Sequence, residues 1–268
     1  MIRVFPRKTK WTPTDELAFV GDPPLFRPED RNMPVYVSVT FTLDLQKAGR
    51  LERSWSRFYD KVLIGGPALD NPGGEFVSGR FIKPGVTFTS RGCPRRCPWC
   101  YVWRREGKIR ELPIKPGWII QDNNLLACTR SHIKAVFDML REQKRGAVFS
   151  GGLDATLLES WHRDLLDTIR IGELWFAADT DTAIKSLERA SRLCSGISIE
   201  KLRCYVMIGF NGEKLSEAER RLEKVYSLGF LPFAQLYSGG LGPSHEHLKK
   251  WKALARKWSR PAAYRSHA

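Results

Sequence analysis

Apolar positions along this chain fall into two rhythms. Short runs occur at residues 86–90, 118–121, 147–150, 174–177, 202–208 and 232–237, all but the Thr- and Ser-bearing first of them mostly apolar. Runs of that length without alternation read as strands buried on both faces of a parallel sheet. Stretches with helical spacing lie between them. Residues 130–143 place Ile133, Val136, Phe137 and Leu140 on one face. Further helices are expected within residues 154–169, over 182–193, and from Ser216 to just before Gly229. Ser216 with Glu219 three residues on has the form of a capping box, and Gly229 marks a stop. Repeated strand and helix predict an α/β fold with a parallel sheet.

The same rhythms organise the flanks. Residues 2–5 read as a strand, and Thr12 with Pro13, Asp15 and Glu16 as the start of a short helix. Residues 35–41 read as a strand. Asp44 then caps a helix to about residue 59, on which Leu45, Ala48, Leu51, Trp55 and Phe58 recur at helical spacing. A strand follows at 61–64. That is a βαβ fragment, a truncated Rossmann-like unit. No G-x-G-x-x-G is present, so the dinucleotide reading fails, and Gly65-Gly66 reads as a tight turn. Residues 68–85 are rich in Gly and Pro and read as a linker. The last helix, 244–259, sets Leu248, Trp251, Ala255 and Trp258 on one face and Lys249, Lys250, Lys252, Arg256 and Lys257 around the rest. The expected organisation is an N-terminal extension (1–85), a core (86–240), and a C-terminal basic helix and tail (241–268).

Composition changes this picture little. At 268 residues and 42% hydrophobic content, the chain can bury a large core. No apolar run approaches membrane-spanning length, and no apolar signal core follows Met1. The formal net charge is +15. The basic excess gathers in residues 91–116 and 241–268, patches that suit an anionic partner or simply aid solubility.

The richest chemistry is in RGCPRRCPWCY, residues 91–101. Cys93, Cys97 and Cys100 form a C-x3-C-x2-C array, stiffened by Pro94 and Pro98. Three thiolates this close can wrap one soft metal centre, and Arg91, Arg95 and Arg96 would favour thiolate over thiol. A closed zinc site wants a fourth ligand, yet the next cysteine is Cys128 and the nearest histidine is His132. Cys128, Cys194 and Cys204 are scattered, with Cys204 expected in the core. The clustered cysteines suit a reducing compartment, the cytoplasm.

With Trp99 just before its last cysteine, the array resembles the radical S-adenosylmethionine (radical SAM) enzymes. The resemblance extends over residues 86 to about 240. It implies a partial (β/α)6 barrel and a 4Fe-4S cluster held by Cys93, Cys97 and Cys100. The open iron of that cluster would bind S-adenosyl-L-methionine and cleave it to a 5'-deoxyadenosyl radical. It also implies an electron donor such as flavodoxin or ferredoxin and a small-molecule or nucleic-acid substrate. The N-terminal fragment is similar to a cut-down cobalamin-binding domain, but no histidine precedes His132, so the cobalt ligand is missing and the unit reads as vestigial or structural.

Polar residues follow each core strand, and ligand sites of barrels lie at those ends. By the resemblance, Trp99 lies near the adenine. The amino group falls to Gln121, Asp122 or Asn123. The ribose and carboxylate fall to Ser150, Asp154 and Asp179, and Ile208 and Gly209 shape the adenine pocket. Asp181 reads instead as a helix cap. The competing readings are an iron–sulfur protein that only transfers electrons or braces a fold, and a zinc-containing nucleic-acid-binding module.

Overall fold

The structure, a computed structural model, describes residues 1–71 and 76–265. The chain divides into two compact units, Met1–Val86 and Thr87–Ala268.

In the first unit, β1 (Ile2–Phe5), β2 (Ala18–Val20), β3 (Val35–Ser38) and β4 (Val62–Gly65) form a parallel sheet in the order β2-β1-β3-β4. Helix α1 (Leu45–Trp55) crosses between β3 and β4, which makes the expected βαβ fragment. Its Ala48, Leu51 and Trp55 bury against Ile2, Val4, Val35 and Val37. Asp44 does not cap α1 with its side chain, because Arg7 holds both of its oxygens at 2.6 Å. No helix starts at Thr12. Its hydroxyl instead accepts the Thr9 N–H (2.8 Å) and closes a turn. Gly66 has φ +117°, and a Cβ there would strike the Val39 backbone. Its N–H donates to the Asn71 carbonyl (2.6 Å), so the glycine pair makes the expected tight turn. Residues 72–75 of the expected linker lie outside the described residues.

Strand β5 (Val86–Thr87) spans the boundary, and the second unit goes on with β6 (Ser90–Arg91), α2 (Val102–Arg105), β7 (Arg110–Glu111), β8 (Ile119–Ile120) and α3 (Arg130–Arg141). It continues with β9 (Ala147–Leu153), α4 (Ser160–Asp167), β10 (Ile171–Ala177), α5 (Asp181–Leu193), β11 (Leu202–Ile208), α6 (Leu215–Ser227), β12 (Leu231–Leu236), α7 (Leu248–Trp258) and α8 (Pro261–Arg265). The main sheet runs β12-β11-β10-β9-β8-β5. Strands β8 to β12 pair in parallel, each with the next in the chain. This is a mixed α/β fold with β5 and β12 at the sheet edges among the described residues.

Strand β11 shows how the sheet divides its faces. Leu202, Cys204, Val206 and Ile208 are buried and join Leu187, Leu222 and Val225 of α5 and α6 in one core. Arg203, Tyr205 and Met207 turn to the other face and are half-buried. There Trp175 stacks on Tyr205 (4.4 Å between ring centres) and meets Phe233 edge-on (5.7 Å). Helix α7 packs on β12 through Trp251, Leu254 and Trp258, with Lys249, Lys250, Lys252 and Arg256 outward. No helix among the described residues is long and apolar enough to cross a membrane.

Candidate ligand site at the strand ends

The polar residues after each strand of the second unit meet the cysteine loop on one rim. Asp122, which follows β8, is 1% exposed. Its carboxylate accepts the Thr89 N–H (2.7 Å), the Thr89 hydroxyl (2.5 Å) and the Ser90 hydroxyl (2.7 Å). Asp122 therefore anchors the segment that carries the cysteines. Asn123 adds a second tie, since its Oδ1 accepts the Gly92 N–H (3.0 Å). Gln121 donates to the Ser150 hydroxyl (2.7 Å), and the Tyr205 hydroxyl donates to the Ser150 carbonyl (3.1 Å).

Two carboxylates dock the loop itself. Asp154 pairs with Arg95 (2.8 Å) and accepts the Thr156 N–H (3.0 Å) and hydroxyl (2.6 Å). Burial pushes its carboxyl up, but the Thr156 bonds and the Arg95 guanidinium prevail and hold it below the usual carboxylate range. Asp179 accepts the Met207 N–H (2.7 Å), and the Trp99 side chain lies near enough to favour its ionised form. Burial raises its carboxyl above the usual range, against those contacts and the nearby Arg221. Arg221 in turn pairs with Glu213 (2.6 Å), whose other oxygen accepts the Gly209 N–H (2.7 Å). Gly209 has φ +74°, and a Cβ there would press on Pro243 and Leu236. The Ile208 side chain is wholly buried.

Trp99 also meets Phe210 edge-on (5.4 Å), and Phe210 meets Tyr237 (5.0 Å). Beside this ladder lies a cavity of about 610 Å³ at the C-terminal ends of β11 and β12. Its walls include Trp99, Tyr101, Met207, Phe233, Gln235 and Tyr237. Tyr101 is 68% exposed. Of these residues, sequence reasoning singled out Trp99 alone. The others come from the cysteine loop, β11, β12 and the residue after it, and only Tyr237 is an aromatic at a strand end.

The cysteines behave unlike a thiolate nest. All six are free. The Cys93 sulfur accepts the Arg95 N–H (3.4 Å) and an Asn124 amide N–H (3.5 Å). Burial pushes the Cys97 thiol up, and Cys100, Asp179 and Cys93 push it further, with Arg95 opposing. Two of the three arginines expected to support thiolates are drawn partly away, because Arg95 is shared with Asp154 and Arg91 lies over the Phe88 ring (3.8 Å). Cys128 and Cys194 are raised to about 11 by burial, and Cys204 lies in the core.

Among the described residues, no group of three or more His, Cys, Asp or Glu side chains is placed to hold a metal ion. This overturns the 4Fe-4S cluster at Cys93, Cys97 and Cys100. With it fall S-adenosyl-L-methionine as a ligand of that cluster, a radical SAM enzyme acting on a small-molecule or nucleic-acid substrate, and flavodoxin or ferredoxin as electron donor. The electron-transfer and zinc-module readings need a metal-holding group as well and fall on the same finding. The resemblance carried by the cysteine spacing and Trp99 is thus a likeness of sequence that the side-chain arrangement does not support. Compared with protein-family models and with curated proteins, the sequence matches none.

Proposed function

We propose that this chain is a binding protein for a small ligand with a planar heteroaromatic ring, of the nucleoside class, held in the cavity lined by Trp99, Tyr101, Phe233 and Tyr237. The lining of that cavity carries the reading. Trp99, Tyr101, Phe233 and Tyr237 supply ring faces, while Gln235 and Ser238 supply an amide and a hydroxyl for the edge of a ring. Aromatic faces with a few polar groups are what a heterocycle needs for stacking and edge recognition. The position supports it too, since ligands of parallel α/β folds bind beyond the carboxyl ends of the strands. We read the sequential parallel sheet as a partial (β/α)6 barrel, with this cavity at its C-terminal mouth. Gln121, Asn123, Ser150, Asp154 and Gly209 stand at the strand ends outside the lining of this cavity, and Asp122 and Asp179 act as positioning residues. The six free thiols favour a reducing compartment, the cytoplasm.

Tryptophan fluorescence under reducing conditions tests this. Adenosine, guanosine, cytidine and uridine are titrated separately, with phenol as a ring control. At least one nucleoside should quench saturably, and Tyr237→Ala should weaken it about tenfold, the loss expected for one stacked ring. No saturable response to any nucleoside, or equal affinity in the variant, would remove the cavity as the site.

A further inference from the structure

The sequence Cys97-Pro98-Trp99-Cys100 closes a β-turn in which the Cys100 N–H donates to the Cys97 carbonyl at 3.0 Å. Proline at the second position presets the backbone for such a turn. The Trp103 indole N–H also donates to the Cys97 carbonyl (3.1 Å), which fixes the turn from outside. A hydrogen-bonded β-turn keeps its end Cα atoms under about 7 Å apart, which spans the separation a disulfide requires. Both thiols are half-buried, and Cys100 acts on Cys97 electrostatically. Cys93 belongs to a wider spacing, and its sulfur already accepts two N–H groups. Thiols in a C-x-x-C turn commonly exchange with disulfides.

We propose that Cys97 and Cys100 are a dithiol–disulfide pair that exchanges with low-molecular-weight disulfides of the glutathione class. One thiolate attacks oxidised glutathione, its S–S bond breaks, and one glutathione leaves as the thiol, giving a mixed disulfide. The second thiolate then displaces the remaining glutathione and closes the Cys97–Cys100 bond. Two electrons and two protons pass from the protein to two glutathione molecules. Trp99, held between the pair, is a wall of the aromatic cavity, so the exchange alters that wall. The pairing itself is independent of what fills the cavity.

The test uses the full chain, equilibrated in glutathione buffers of rising oxidised fraction, acid-quenched, alkylated and mapped by mass spectrometry. The peptide carrying Cys97 and Cys100 should lose two hydrogens and both alkylation sites, and dithiothreitol should restore them. Cys93→Ser should behave the same way. Cys97→Ser and Cys100→Ser should each stop at a glutathione adduct on the remaining thiol of the pair. If both residues stay alkylatable in fully oxidised glutathione, or if Cys93 is the partner instead, the proposal is overturned. No ligand enters the measurement, so its failure is distinct from failure of the nucleoside titration.

Discussion

Asp122 shows how much one buried carboxylate can organise. It accepts three hydrogen bonds from two residues more than thirty positions earlier. Hydrogen bonds to a charged acceptor contribute about 1.5–3 kcal/mol each, and stranded buried donors add their own cost. Asp122→Ala should therefore destabilise the protein by about 3 kcal/mol or more in urea unfolding; a change below about 1 kcal/mol would mean the Thr89–Ser90 segment is held by something else. Asp179 makes a pH-dependent case. Its folded pKa lies above the ordinary 3.8, so the folded state binds its proton more tightly than the unfolded state. Its contribution is fully present below about 3.8 and is lost as pH rises through the higher folded value. Asp179→Asn should therefore gain stability relative to wild type over the pH range above about 4. A difference between the two proteins that is flat with pH, in parallel thermal melts, would mean the buried carboxyl does not titrate in that range. Both aspartates were visible in the sequence as polar residues after strands. Their partners were not, because Thr89 and Met207 reach them only through sheet pairing.

Elements were legible where the apolar rhythm was strong and blurred where tertiary bonds override it. Strands and helices from residue 130 onward fall close to their expected places, since long amphipathic faces fix them. The expected strand at 86–90 divides instead. Val86–Thr87 stays in the main sheet, while Ser90–Arg91 pairs antiparallel with Arg110–Glu111. The Asp122 bonds at Thr89 and Ser90 fall at the break. Helix α6 starts one residue before the expected Ser216, and Glu217 rather than Glu219 reaches back, accepting the Lys214 N–H (3.0 Å). Glu219 pairs with Lys257 (2.8 Å) at the surface instead. Likewise Thr180, not Asp181, caps α5, with its hydroxyl accepting the Ala183 N–H. The two glutamates should separate by mutation. Glu217→Ala should cost about 0.5–2 kcal/mol, the range for losing a cap, and Glu219→Ala no more than about 1 kcal/mol, as for an exposed ion pair. The reverse order in denaturant midpoints would return the cap to the Ser216 reading. The cysteine array was the most legible motif of all, yet spacing alone cannot report where sulfur atoms point or which arginines are already engaged.

At the scale of the whole molecule, the chain builds two separate cores. Ile2, Val37, Leu51 and Trp55 form one, and Phe176, Val206, Leu222 and Phe230 belong to the other. Each unit has its own parallel sheet with helices packed on it, and the contact pattern divides the chain at Val86–Thr87. Cores that share no buried residues should respond to damage separately. Leu51 and Leu222 are both fully buried, and truncating a buried leucine to alanine costs about 2–5 kcal/mol. Under native conditions that cost should appear as lost amide protection in the affected unit. Leu51→Ala should speed hydrogen exchange in β1, β3 and α1 and leave β10, β11 and α6 near their wild-type rates. Leu222→Ala should do the converse. If either variant speeds exchange in both units by the same factor, the two cores unfold as one cooperative body. The aromatic cavity would then sense damage in the first unit, although every residue that lines it belongs to the second.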